Sequence, residues 1–324
     1  MESKFYTTAR ASVFVFVAFL LVVIFAPSTF AAGFDPMSES MLVLPANSGI
    51  TTRWIVPPAN LEKPIPKHTL NEIQFSIDSQ GSPWIGLNGR QLLNPVKQVA
   101  ASLSEPYQRF VHMDSGMMMF STVRMLGFMG IAANPELDAQ GYPIIPFQPM
   151  FDLPSYYTRI YRAAGNCVYL VSEDIRTQKT ILFVLRPETD SAGKITGPGG
   201  YQKIFESAEP ITSVAGNGTM TFMAMGKLIV LLDQTNNVLR VPVQQDEEVK
   251  ELAFSQGVGL FYATASGVGF VGEKRAFKFL ETSNPRIAVK GQSLYVLFPR
   301  HLGVMAFDNI DKLWSFDFEL SALN

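Results

Sequence analysis

Side chains able to do chemistry are few in this chain, and they are scattered. The histidines are His68, His112 and His301, and no two stand at a metal-ligand spacing. His112 falls in a strand-like run and His301 in a turn, so both read as structural or solvated. The single cysteine, Cys167, cannot form an internal disulfide. It opens an apolar run with no basic residue beside it in sequence, the setting of a buried, inert thiol. Methionines cluster at Met113, Met117, Met118, Met119, Met125 and Met129, and again at Met220, Met223 and Met225. Thioethers can bind Cu(I), but these lie in apolar runs where methionine fills irregular gaps, which reads as core. Asp78, Asp114, Asp233 and Asp308 each lie at a turn, where a carboxylate commonly bonds the backbone. There is no G-x-S-x-G, no phosphate-binding loop and no paired-carboxylate motif. No catalytic, cofactor or metal residue is assigned from the sequence.

Bulk properties narrow the function classes further. The chain has 324 residues, 47% apolar and 17% charged, with a net charge of −2. That supplies a sizeable core and no basic stripe for nucleic acid. Residues 1–31 read as a secretory signal peptide. Lys4 and Arg10 precede the run from Ala11 to Ala26, and Thr29 and Ala31 suit a cleavage point after Ala31. The alternative is a retained anchor, although sixteen residues fall short of the ~20 that span a bilayer comfortably. Either way the expected location is periplasmic or secreted. The membrane would be met only through that segment, if it is retained.

The elements that must position any site come from a repeat. Gly81, Gly116, Gly165, Gly218, Gly257 and Gly291 each follow one short strand and precede another. Five of them have an aromatic four residues on, at Phe120, Tyr169, Phe222, Phe261 and Tyr295, and the first has Trp84 three residues on. Glycine permits the tight turn. The strand after it is apolar throughout, as a strand buried on both faces must be, and the ring fills a wedge between neighbouring units. The glycines are 35, 49, 53, 39 and 34 residues apart, the spacing of four-stranded propeller blades. The expected fold is an all-β propeller over 68–324, with six blades, or seven as the alternative. Residues 32–67 form an extended, proline-rich lead-in, within which "TTRWIVPP" (Thr51 to Pro58) is a candidate ring-closing strand. Residues 95–104 read as a short helix, from Pro95 after Asn94 and apolar positions at helical spacing. The stretch from Asn134 to Pro154 reads as an extended loop.

Two families come into view on these residues. "IDSQGSPWIGLNGRQLL" resembles the repeat of two-component-regulator sensor propellers: an aspartate, then a glycine, then an apolar-Trp-apolar strand. "MDSGMMMFSTVRMLGFM" resembles a decayed copy, with one residue fewer between aspartate and glycine. "GQSLYVLFPRHLGVMAFDNIDKLWSFDF" resembles a PQQ-type quinoprotein repeat, with Asp308 and Trp314 at its Asp and Trp positions. Neither motif carries chemistry. The single cysteine departs from the adjacent pair of the PQQ dehydrogenases. The resemblance to quinoprotein-like repeats implies a scaffold akin to the propeller of outer-membrane assembly machinery.

The function expected from all this is non-enzymatic: a protein-interaction scaffold or ligand-sensing module of the cell envelope, with envelope proteins as partners. The alternative is a metal-dependent hydrolase or lactonase of the six-bladed type, which needs acidic, amide or histidine groups converging at the channel mouth. The candidate interface residues are Tyr142, Ile145, Phe147 and Phe151, because apolar residues between prolines in a loop demand burial somewhere.

Overall fold

The computed structural model describes residues 41–42, 50–56 and 73–307, apart from positions 88, 98, 130–134, 157, 192–194, 219, 233–237, 257, 272–275 and 299–301. Residues 1–31, most of 32–67, His68, Asp233, Gly257, His301, Asp308 and Trp314 lie outside the described residues.

Two strands come first, β1 (Met41–Leu42) and β2 (Ile50–Val56). Blade one comprises β3 (Gln74–Ile77), β4 (Pro83–Leu87), β5 (Gln91–Asn94) and β6 (Val99–Leu103). Blade two has β7 (Arg109–His112), β8 (Met118–Ser121) and β9 (Met125–Met129). The short β10 (Ile144–Ile145) then leads into its fourth strand, β11 (Phe147–Asp152). Blade three has β12 (Thr158–Arg162), β13 (Val168–Asp174), β14 (Lys179–Thr189) and β15 (Ile195–Ser207). Blade four has β16 (Ser213–Gly216), β17 (Thr221–Met225), β18 (Leu228–Leu232) and β19 (Val238–Gln244). Blade five has β20 (Glu251–Ser255), β21 (Gly259–Ala263), β22 (Gly267–Val271) and β23 (Ala276–Glu281). Blade six has β24 (Arg286–Lys290), β25 (Ser293–Leu297) and β26 (Leu302–Phe307).

Each innermost strand lies against the next, in the order β3, β7, β12, β16, β20, β24 and back to β3. The described residues therefore close a ring of six sheets, a six-bladed β-propeller. The ring shuts as the candidate strand required. β2 pairs antiparallel with β26, from Ile50 opposite Phe307 to Val56 opposite Leu302, and supplies the outer strand of blade six. β1 adds to the edge of blade five, Met41 opposite Glu281.

Burial explains the recurring pattern. All four residues of β8 and all five of β22 are buried, and β13, β21 and β25 are nearly so. Apolar clusters fill the wedges between successive blades. Phe261, Phe270 and Phe298 join blades five and six, and Tyr107, Phe110 and Phe120 join blades one and two. Five of the six repeat glycines have positive φ, between 57° and 87°.

Two expectations are corrected. Residues 95–104 are not helical: Pro95 to Lys97 form a turn and Val99 to Leu103 a strand. Asn94 Oδ1 accepts from the Val96 and Lys97 N–H groups at 3.1 and 2.9 Å, which ends β5 in a turn. The free edge of β5 then takes the following residues as a ladder, Leu92 opposite Ala101. That pairing buries Ala101 and Leu103 and overrides a marginal helical spacing. The stretch from Asn134 to Pro154 likewise holds β10, which pairs in parallel with β6, and β11, which completes blade two. An alternation broken by Pro146 and Pro149 conceals these strands from a sequence reading.

Candidate functional site: the central channel

The innermost strand of every blade has an edge facing the channel, and its backbone groups need partners there. Side chains of the preceding blade supply several. Gln74 Oε1 accepts from Phe110 N–H at 3.0 Å, and Ser76 Oγ from His112 N–H at 3.1 Å. Ser213 Oγ accepts from Leu252 N–H and Glu251 Oε2 from Ile287 N–H, both at 2.9 Å. The polar residues of these strands thus hold blade to blade.

The channel they enclose has a volume of about 270 Å³ and is lined by all six inner strands. One end is tied across. Arg162 Nη2 lies 2.5 Å from Asp114 Oδ1, and Lys290 Nζ lies 3.0 Å from the same oxygen. Gly165 N–H donates to Asp114 Oδ2 at 2.7 Å. Arg162 Nη1 also reaches the Val289 carbonyl at 3.3 Å, joining blades three and six, which face each other across the ring. At the other end, Arg286 Nη1 lies 3.9 Å from Glu251 Oε1, and the Arg109 guanidinium stacks 4.5 Å over the Tyr161 ring. Burial alone would raise the Asp114 carboxyl, but Arg162, the Gly165 N–H and Lys290 hold it down at about 2.

The aspartates of the two sensor-like repeats separate here. Asp78 caps its turn, accepting from Gln80 N–H at 3.0 Å, Ser82 N–H at 2.8 Å and Trp84 Nε1 at 3.2 Å, with Lys97 Nζ at 3.0 Å. Burial opposes ionisation of Asp78, and these bonds outweigh it and lower the pKa. In blade two, Met113 occupies the equivalent position: Gly116 N–H donates to its carbonyl as Gly81 N–H does to Asp78. Asp114, one residue later, is not a turn cap but faces the next blade and the channel. That one-residue displacement was visible in sequence as the shortened spacing to Gly116. The cations were also visible, since "RIYR" and "RIAVK" each begin and end with one. What was missing was the knowledge that these strands are innermost.

The remaining sequence candidates are blade residues. Phe120, Tyr169 and Phe261 are fully buried and Tyr295 is 7% exposed, whereas Trp84 and Phe222 are only half-buried. Where the repeat carries tyrosine, its hydroxyl reaches the turn of the next blade. Tyr169 Oη accepts from Gly218 N–H at 3.0 Å, and Tyr295 Oη donates to the Gly81 carbonyl at 3.0 Å, bridging the last blade to the first. Of the interface candidates, Phe147 belongs to the core between blades one and two, and Phe151 packs against the core between blades two and three. In β11 Phe147 is buried, whereas Phe151 stays half-buried. Tyr142 is exposed and Ile145 half-buried. Met113, Met118, Met119 and Met223 are core residues. Cys167 is half-buried, with Sγ 3.6 Å from the Gly165 carbonyl, and burial pushes its thiol pKa up.

No protein-family profile and no curated protein sequence matches the chain. Solved structures do. The gluconolactonase XC5397 of Xanthomonas campestris is 11% identical, with a TM-score of 0.51 over 72% of this chain and 84% of that one. Regucalcin of Agrobacterium tumefaciens, described as a calcium-binding protein, is 11% identical, with a TM-score of 0.49 over 72% and 88%. The extracellular domain of the one-component system BT4673 of B. thetaiotaomicron is 13% identical, with a TM-score of 0.42 over 72% and 38%. At such identities the likeness is one of fold, and the class the fold defines is the six-bladed β-propeller.

Proposed function

We propose that this chain is an exported β-propeller of the cell envelope that works by binding, as a protein-interaction scaffold or a ligand-sensing module, and not by catalysis. The observation that supports this is how the channel carboxylates are engaged. Asp114 is shared between two cations and a backbone N–H, and Glu251 between Arg286 and a backbone N–H. Among the described residues no three His, Cys, Asp or Glu side chains come together. A divalent ion of the kind named for regucalcin, or needed by a metal-dependent hydrolase, would sit beside Arg162 and Lys290 and be repelled. These residues do not fit such an ion.

The test is affinity purification from the native envelope, followed by metal analysis of the pure protein. A co-purifying envelope protein without stoichiometric metal is expected. Stoichiometric calcium accompanied by lactone hydrolysis would overturn the reading in favour of the hydrolase. Export is checked separately: the native protein should begin near Ala32. A chain that begins at Met1 and sediments with membranes would mean that the anchor is retained.

A further inference from the structure

The channel's charge is not balanced. Four cationic side chains line it, Arg109, Arg162, Arg286 and Lys290, against two carboxylates, Asp114 and Glu251. Each end carries one positive charge in excess. At the tied end Arg162 and Lys290 share Asp114. At the other end, among the described residues, Arg109 meets no carboxylate and has only the face of Tyr161. A guanidinium there retains donors for a planar or tetrahedral oxyanion.

The two ends also differ in how they are closed. The contact of Arg162 with Val289 crosses the ring, and Asp114 joins Lys290 from two blades away, so this cluster forms a floor. The hydrogen bonds made by Gln74 and Glu251 at the far end run only between adjacent blades, which leaves the axis open. Between floor and mouth the walls include Ala253 and Ala288, small residues that leave the bore clear. The hydroxyls that could have bound a neutral polar ligand are spent, Ser76 on His112 and Ser255 on the Gly291 carbonyl.

We infer that the channel is a one-ended receptor for a small oxyanion-bearing molecule, drawn in past Arg109 and seated on the surplus charge of Arg162 and Lys290. This rests on the ligand-sensing form of the proposed function. Low-dielectric walls around a net positive bore focus the field on an entering anion.

The test is calorimetric titration with sodium succinate and with inorganic phosphate, separately, at ionic strength fixed with chloride. The proteins are wild type, Arg109→Gln, Lys290→Gln and the exposed-surface control Lys179→Gln. Wild type and the control should bind at least one probe alike. Arg109→Gln and Lys290→Gln should each bind it at least about tenfold more weakly, the size of one lost charge-assisted hydrogen bond. Binding of phosphate alone would indicate a tetrahedral head, and binding of succinate alone a carboxylate. Circular dichroism establishes that each variant is folded. If Lys290→Gln is not, Arg109→Gln decides, because Arg109 contributes no ion pair among the described residues. Binding of neither probe, or equal binding by all four proteins, overturns the inference. If an envelope partner still co-purifies in that event, the scaffold reading survives alone.

Discussion

A neutral imidazole sits in the wall between blades one and two. His112 is 1% exposed and lies against Trp84 and Phe110, with Nδ1 3.1 Å from Ser76 Oγ and no partner for Nε2 among the described residues. Burial, opposed by Asp78 and reinforced by Arg162, Lys97 and Lys290, lowers its pKa to about 3. The unfolded chain therefore binds a proton near pH 6.5 that the folded chain refuses until about 3. Stability should be complete above pH 6.5 and fall between 6.5 and 3, by roughly 4–5 kcal/mol from this group. Asp114, held at about 2 against an ordinary 3.8, adds a loss that sets in below about pH 4 and so overlaps only the acid end of the His112 window. Urea titrations of wild type and His112→Gln across that range check this. The variant should lose most of the slope between pH 6 and 4, and an unchanged slope would mean that His112 is not the group. At the same scale, Tyr169→Phe removes the acceptor for Gly218 N–H and the bond to Thr221 Oγ1. A loss of about 1–3 kcal/mol in chemical denaturation is expected, without change of fold.

Strands packed between blades carry the element-scale energetics. Phe261 is fully buried and contacts the rings of Phe270 and Phe279, so Phe261→Ala should cost about 3–5 kcal/mol. Phe222 occupies the same repeat position but is only half-buried, against Phe254, so Phe222→Ala should cost clearly less. Denaturation midpoints that ranked the two the other way would contradict this packing. Gly86 in β4 illustrates the closeness of neighbouring blades. A Cβ there would lie 2.5 Å from Tyr107 Oη and 2.7 Å from a Phe110 ring carbon. Gly86→Ala should therefore destabilise by roughly 1–3 kcal/mol, as overpacking does, and a melting curve shows it.

Ring closure belongs to the whole molecule. β2 is the outer strand of blade six, so chain segments more than two hundred residues apart form one sheet. Deleting residues 50–56 should leave β26 with a bare edge and lower the melting temperature of the entire ring, because no blade buries both faces alone. A synthetic peptide covering those residues, added in trans, should restore part of the loss. A truncated protein that melts like the wild type would show that closure depends on other contacts.

Periodicity was the strongest signal in the chain, because each blade repeats the same physical demand: a left-handed turn, a strand buried on both faces, and a ring for the wedge. Gly81, Phe120, Tyr169 and Phe261 were legible for that reason, as was the closing strand in "TTRWIVPP". The segments at 95–104 and from Asn134 to Pro154 were not. Their local patterns are weak, and the neighbouring strand edges of β5, β6 and β9 decide what they become. The channel was the least legible part. Asp114, Arg162 and Lys290 are separated by 48 and 128 positions in sequence and meet only because a six-membered ring sets blades two, three and six around one axis. By itself the sequence determined the repeating unit, since local turn and burial preferences recur within each blade. Only the tertiary structure decided which of its ordinary charges became a shared cluster, because that depends on the number of blades and the direction in which each innermost strand faces.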